Sequence, residues 1–228
     1  MSWFIGFSEG AGSFFIHNDS LHFEIWQHIK DVQVLYHIKS ILGFGQVIFP
    51  KHRTSMAKFV VTKKDHIDWL LVHFSTSSCT SHFDKFISDY KLTQFENKPS
   101  LNNAWLAGFI DAEGCFRIKL EQTGSIKLIF EVTQKEKHIL DKIKELFPSL
   151  EGNIRQDREH YVLSFSQLKA RLLLIKYLTH YPLKSHKHIV YLKWMKVHRI
   201  KVQNRNLTEK EKLKIIRVGL KLNKWREE

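Results

Sequence analysis

One carboxylate stands out for its setting. Glu113 lies in AWLAGFIDAEGCFRI, residues 104–118, where the acid closes an apolar, small-residue run and precedes a glycine. The chain carries the same arrangement near its start, in WFIGFSEGAGSFFI at residues 3–16. Trp3 aligns with Trp105, Gly6 with Gly108, Phe7 with Phe109, Glu9 with Asp111, Gly12 with Gly114 and Phe14 with Phe116, at a constant offset. Where the second copy has Glu113, the first has Ala11. A carboxylate at a helix C-terminus meets the negative pole of the helix dipole, at a cost of roughly 0.3–1 kcal/mol. A bound cation would reverse the sign of that local field. Magnesium is suited to such a place, because it takes a few carboxylates and fills its shell with water and phosphate oxygens. If the chemistry needs a pair of acids, this chain has one.

Positioning those residues requires two helices whose backbones come close. Gly6 and Gly10 fall four apart on one, and Gly108 and Ala112 hold the matching places on the other. Small residues on one helix face permit that approach. The glycine after the second motif, Gly114, is expected to act as a C-terminal cap. The repeat runs on past the helices. Phe23-Glu24-Ile25-Trp26-Gln27 matches Phe130-Glu131-Val132-Thr133-Gln134. A period this long marks a duplicated domain rather than a solenoid. The join is placed at the polar stretch Asn97-Lys98-Pro99-Ser100, giving halves 1–98 and 99–228.

Each half reads as the motif helix, a hairpin, a helix, a second strand pair and closing helices. The strands are expected at 12–17, 21–27, 46–49 and 57–62, then at 114–122, 127–134, 153–155 and 161–166. Helices are expected at 31–42 and 136–147 from their apolar spacing. The fold class is therefore α+β: two pseudo-symmetric αββαββα halves, each with one antiparallel sheet and helices on one face. A basic helix over 208–225, with Lys210, Lys212, Lys214, Arg217 and Lys221, has no counterpart in the first half.

Residues 106–114, LAGFIDAEG, resemble the signature of the LAGLIDADG homing endonucleases, and the first copy resembles that family's degenerate form. Two copies in one chain resemble its single-chain branch. The resemblance implies sheets forming a DNA-binding saddle, with the motif helices packed at the central interface. It implies intron-encoded, site-specific DNA hydrolysis dependent on Mg²⁺, with Glu113 as catalytic residue and metal ligand. Ala11 is then the place of the missing acid, a vacant ligand position or one served by its backbone carbonyl. The expected consequence is impaired or abolished cleavage, whether Ala11 arose by decay or by a deliberate substitution. Glu9 and Asp111 are read as structural, capping the loop into the first strand. Residues 181–187, YPLKSHK, resemble a family segment whose Lys lies near the scissile phosphate, which assigns Lys187 a catalytic role and Lys184 a lesser one. The loosely matching first-half segment has His82 about where that Lys would fall. An organellar origin, mitochondrion or chloroplast, is the family's usual setting.

The bulk properties agree with a nucleic-acid partner. The formal net charge is +13, which points to a polyanion. No run approaches the about 18 apolar residues of a membrane span. The two cysteines, Cys79 and Cys115, lack metal or disulfide spacing, and the 14 His form no HExxH-like cluster. The stretch opens almost on the motif, so no leader is expected. A β-ribbon fits the major groove, where Arg and Lys favour guanine and Gln favours adenine. The candidates for DNA contact are Arg117, Lys119, Lys127, Arg155, Gln156, Gln46, Lys51, Lys58, Trp26 and His17. Their differences between halves predict a long, asymmetric duplex site, on the order of 20 base pairs, bound by a monomer. The alternative is an intron RNA partner, in a maturase that assists splicing of a group I intron.

Overall fold

The computed structural model describes all residues except 96, 122–123, 148–151, 204–206 and 223–228. By its contacts the chain divides into two compact units, Met1–Glu113 and Gly114–Glu228. The first contains both motif helices, α1 (Ser2–Ala11) and α5 (Trp105–Glu113). Between them lie β1 (Gly12–His17), β2 (Ser20–His28), α2 (Gln33–Leu42), β3 (Gln46–Ile48), β4 (Met56–Val61), α3 (Lys64–Ser77) and α4 (Asp84–Asp89). The second contains β5 (Gly114–Leu120), β6 (Ile126–Gln134), α6 (Lys137–Glu145), β7 (Asn153–Asp157), β8 (His160–Phe165), α7 (Leu168–His180), α8 (Lys187–Gln203) and α9 (Glu209–Lys221). The expected strand end at Gln122 and the expected end of the last helix at Trp225 lie outside the described residues.

Each unit has one four-stranded antiparallel sheet, in the orders β1-β2-β4-β3 and β5-β6-β8-β7. The first hairpin closes on Asn18 and Asp19, both left-handed (φ 47° and 58°). These residue types tolerate that conformation, and it matches the twist of a two-residue hairpin. The alternation of the strands sorts the chain into a core face and a polar face. Phe14, Phe23 and Phe59 are buried on one sheet, and Phe116, Phe130, Phe165 and Leu163 on the other. Rings pack beneath both sheets. Phe14 packs edge-on against Phe74 (5.9 Å) and Phe83 (5.3 Å) beneath the first sheet. Phe116 packs against Tyr191 and Trp194 of α8 (5.5 and 5.4 Å) beneath the second.

The motif helices touch along their glycines. A Cβ on Gly6 would run into the Trp105 carbonyl, and one on Gly108 into the Trp3 carbonyl. The close approach expected from small residues is thus present and reciprocal. The Gly12 backbone is extended (φ −89°, ψ 157°) and passes straight into β1. Glycine is required there by packing: a Cβ would lie 2.8 Å from both the Phe23 ring and the Ser8 carbonyl. The cap expectation is corrected at Gly114, which likewise opens β5 and is not left-handed.

The C-terminal helix α9 is present from Glu209, with Thr208 and Glu211 forming a capping box at its start. It packs along the outer strand β5, where Gly219 comes against Ile118. An open strand edge is a template for unwanted pairing, and a helix laid against it blunts that hazard. No helix among the described residues is long and apolar enough to cross a membrane.

Candidate functional site

The ends of α1 and α5 bring positions 11 and 113 together. A Cβ on Gly10 would lie 2.9 Å from Glu113 Cγ and 3.3 Å from its Oε1, so the Glu113 side chain rests over the residue before Ala11. Both positions are half-buried. One therefore offers a carboxylate and its neighbour only a methyl group. His82 adjoins the same corner, its Nε2–H donating to the Gly12 carbonyl (2.7 Å).

The other motif acids are occupied elsewhere. Trp3 Nε1 donates to Asp111 Oδ2 (2.8 Å), and Trp105 Nε1 donates to Glu9 Oε2 (2.5 Å). Each motif's indole is thus held by the other motif's acid. Glu9 Oε1 also accepts from the Cys79 and Thr80 backbone N–H groups (2.8 and 2.6 Å) and from the Thr80 hydroxyl (2.7 Å). Its structural role is to hold the loop after α3, not the entry into β1. Burial pushes the Glu9 pKa up to about 7, against the pull of the Thr80, Trp105 and Cys79 donors. Sequence reasoning passed over the two tryptophans, although both motif copies carry one at the same place.

Among the described residues, no three His, Cys, Asp or Glu side chains gather as a metal-binding group. With Glu9 and Asp111 bonded to the tryptophans, the donor chemistry fits a cation that takes Glu113 and completes its shell from phosphate oxygens and water. It does not fit a symmetric pair of carboxylates.

The polar face of the second sheet carries Arg117, Lys119, Lys127 and Arg155, as their register requires. Arg117 Nε lies 2.8 Å and Arg155 Nη2 3.3 Å from the two oxygens of Glu131. Arg117, Lys119, Glu131 and Arg155 line a depression of about 420 Å³. Burial opposes the Arg117 charge, but the Cys115 and Glu131 side chains more than offset it and raise its pKa. Gln156 falls on the opposite face from Arg155, and its amide donates to the Arg158 carbonyl (3.2 Å). On the first sheet His17, Trp26, Gln46 and Lys58 share the polar face. Arg53, a residue that sequence reasoning missed, stands with Lys58 over the Trp26 ring, at 4.9 and 5.0 Å from its centroid. Lys51 sits in the turn between β3 and β4. Lys187 opens α8, its backbone N–H donating to the Ser185 hydroxyl (3.1 Å). Burial, then Lys193, holds His186 beside it below the ordinary imidazole range.

The model of the LAGLIDADG endonuclease family matches residues 4–93 and 106–198. A relative from Neurospora crassa, "Probable intron-encoded endonuclease 4", is 30% identical over 97% of this chain and 44% of its own length. A Schizosaccharomyces pombe protein, "Uncharacterized cox1 intron-2 37.2 kDa protein", is 29% identical over 80% of this chain and 61% of its own. The chain thus spans less than two thirds of either relative. Among solved structures, the meganuclease I-AabMI bound to uncleaved DNA covers 97% of this chain and 98% of its own at TM-score 0.78 and 21% identity. The homing endonuclease I-GzeII in complex with its DNA target covers 99% of each chain at TM-score 0.81 and 19% identity. At these identities the two structures establish the shared fold.

Proposed function

The chain belongs to the LAGLIDADG endonuclease family, and from that premise we infer that it binds one long duplex DNA sequence and hydrolyses it poorly or not at all. The observation that carries this reading is the unequal motif pair: Glu113 at the end of α5, resting against Gly10, the residue before Ala11 at the end of α1. The endonuclease name of the N. crassa relative and the DNA in the two solved structures support the nuclease and DNA parts of it.

The work divides among this chain's own residues. The polar strand faces offer Arg117, Lys119, Lys127 and Arg155 on one sheet, and Gln46, Lys58, Trp26 and His17 on the other, to base edges in the major groove. The surplus of Lys and Arg neutralises phosphate, so affinity should fall with salt. Glu113 would hold a divalent cation, Mg²⁺ in the expected case, against a backbone phosphate. A cation bound there would supply a hydroxide nucleophile and neutralise charge on the phosphate and leaving group. Lys187 is the expected stabiliser of phosphate charge. Ala11 contributes no side-chain ligand, so the second strand cut lacks its acid. A monomer suffices, because the chain carries both motif helices itself. The cox1 intron naming of the S. pombe relative supports an organellar origin for the gene.

The experiment is plasmid cleavage at the native site with Mg²⁺, using the parent chain, Ala11→Asp and Glu113→Gln. The parent should bind and cut little. Ala11→Asp should restore double-strand cutting, and Glu113→Gln should abolish residual nicking while binding persists. Efficient double-strand cutting by the parent would overturn the requirement for both acids. Competition between the duplex and intron RNA tests the partner: stronger capture by RNA would favour a splicing role.

A further inference from the structure

Each sheet carries an acid at the centre of its polar face, on a chain whose net charge is +13. Glu131 stands in β6, opposite Cys115 of β5 and Ser164 of β8. Glu24 holds the same place in β2, opposite Ser13 of β1 and Val60 of β4. The two are repeat-related in sequence, as Phe23-Glu24 and Phe130-Glu131. A carboxylate here repels phosphate, so its presence in both halves calls for a reason. The neighbours supply one. Glu131 is 6% exposed, whereas the Arg117 and Arg155 side chains it holds are 57% and 43% exposed. Glu24 holds Lys58 at 3.0 Å, with Trp26 beneath the ammonium group.

We propose that Glu131 is a positioning residue for base readout. It fixes Arg117 and Arg155 side by side, with their remaining N–H groups turned to the groove, so that each reads a guanine. Glu24 does the same for Lys58 in the other half. The inference rests on the DNA-binding reading above. The physical reason is the competition an arginine faces on DNA. A free guanidinium swings to the nearest phosphate, which carries no sequence information. One anchored through Nε, as Arg117 is, keeps its terminal fork for guanine O6 and N7. Glu131 also keeps the two like charges from separating, and subtracts one unit from the attraction to any duplex.

The test is selection from a randomised duplex library without Mg²⁺, followed by titration of selected and unrelated duplexes over a range of salt. The parent should select guanine at two positions facing the second sheet. In Glu131→Gln the preference at both should collapse by roughly tenfold. Affinity for unrelated duplex should rise several-fold, and the log–log salt slope should steepen by about 1. Glu131→Asp, which keeps the charge, should recover part of the preference and the parent salt slope. Circular dichroism and melting of each variant guard against misfolding. An equal loss of affinity for every duplex together with a lowered melting temperature would mean an ordinary structural ion pair and overturn the proposal. So would unchanged guanine selection in Glu131→Gln. A parent chain with no sequence preference would instead remove the DNA-recognition reading itself, and this inference with it.

Discussion

Replacing Glu9 by Gln isolates two opposed forces at one buried group. The carboxylate is 1% exposed and accepts from four donors: the Cys79 and Thr80 N–H groups, the Thr80 hydroxyl and the Trp105 indole. Burial raises its pKa from 4.5 to about 7 despite them. A group that binds its proton more tightly when folded favours the folded state at low pH. Its contribution is full below pH 4.5 and is lost as the pH rises through 7, a step of about 3 kcal/mol at 1.36 kcal/mol per tenfold change. Gln has the same shape and no titration. Its oxygen can take the place of Oε1, but its NH₂ then meets the Trp105 N–H, setting donor against donor. Each buried donor left unpaired costs about 1–3 kcal/mol. Glu9→Gln should therefore be the less stable protein at pH 5 by about 3 kcal/mol, and the gap should narrow towards pH 8. Urea unfolding of both proteins at four or five pH values measures it. A gap that widens with pH would refute the reasoning, because it would place the folded pKa below 4.5 and make the four hydrogen bonds, rather than burial, the larger effect.

Other substitutions report on neighbouring parts of the structure. Gly108→Ala drives a methyl group into the Trp3 carbonyl and should cost about 1–3 kcal/mol or more, read as a drop in thermal midpoint. A wild-type midpoint would mean that α1 and α5 do not pack at this distance. Trp3→Phe keeps the ring but removes the indole donor to buried Asp111, a charge-assisted bond whose loss should cost about 1.5–3 kcal/mol in chemical denaturation. Thr208→Ala removes the capping box of α9 at a cost of about 1 kcal/mol, and hydrogen exchange should rise in that helix while the sheet stays protected. Arg117→Ala should weaken binding to the selected duplex by roughly 1–3 kcal/mol and relax preference at one base pair. Uniform weakening on all duplexes would mark it as a phosphate contact.

The unequal motif pair was legible in the amino-acid sequence, because an acid and an alanine at matching places of a repeat need no coordinates to be compared. The strands were legible too, within a residue or two at most ends, since a period of two survives in any sheet with one buried face. The fold class followed from the order of those elements. Residue choices made by distant partners were not legible. Glu9 meets Thr80 and Trp105, 71 and 96 positions away, and nothing local to the motif names either. Gly114 looked like a helix cap, yet it opens a strand without a left-handed turn, and Gly12 at the matching place is glycine because the Phe23 ring, brought across by hairpin pairing, leaves no room for a Cβ. Arg155 and Gln156 looked equivalent as DNA contacts, and strand register put them on opposite faces. Glu131 was visible as a repeated acid, but its hold on Arg117 and Arg155 depends on the sheet order β5-β6-β8-β7, in which Arg155 reaches it from beyond β8. Periodicity is a property of the local chain, whereas a contact between strands is set only when the whole sheet closes over its core.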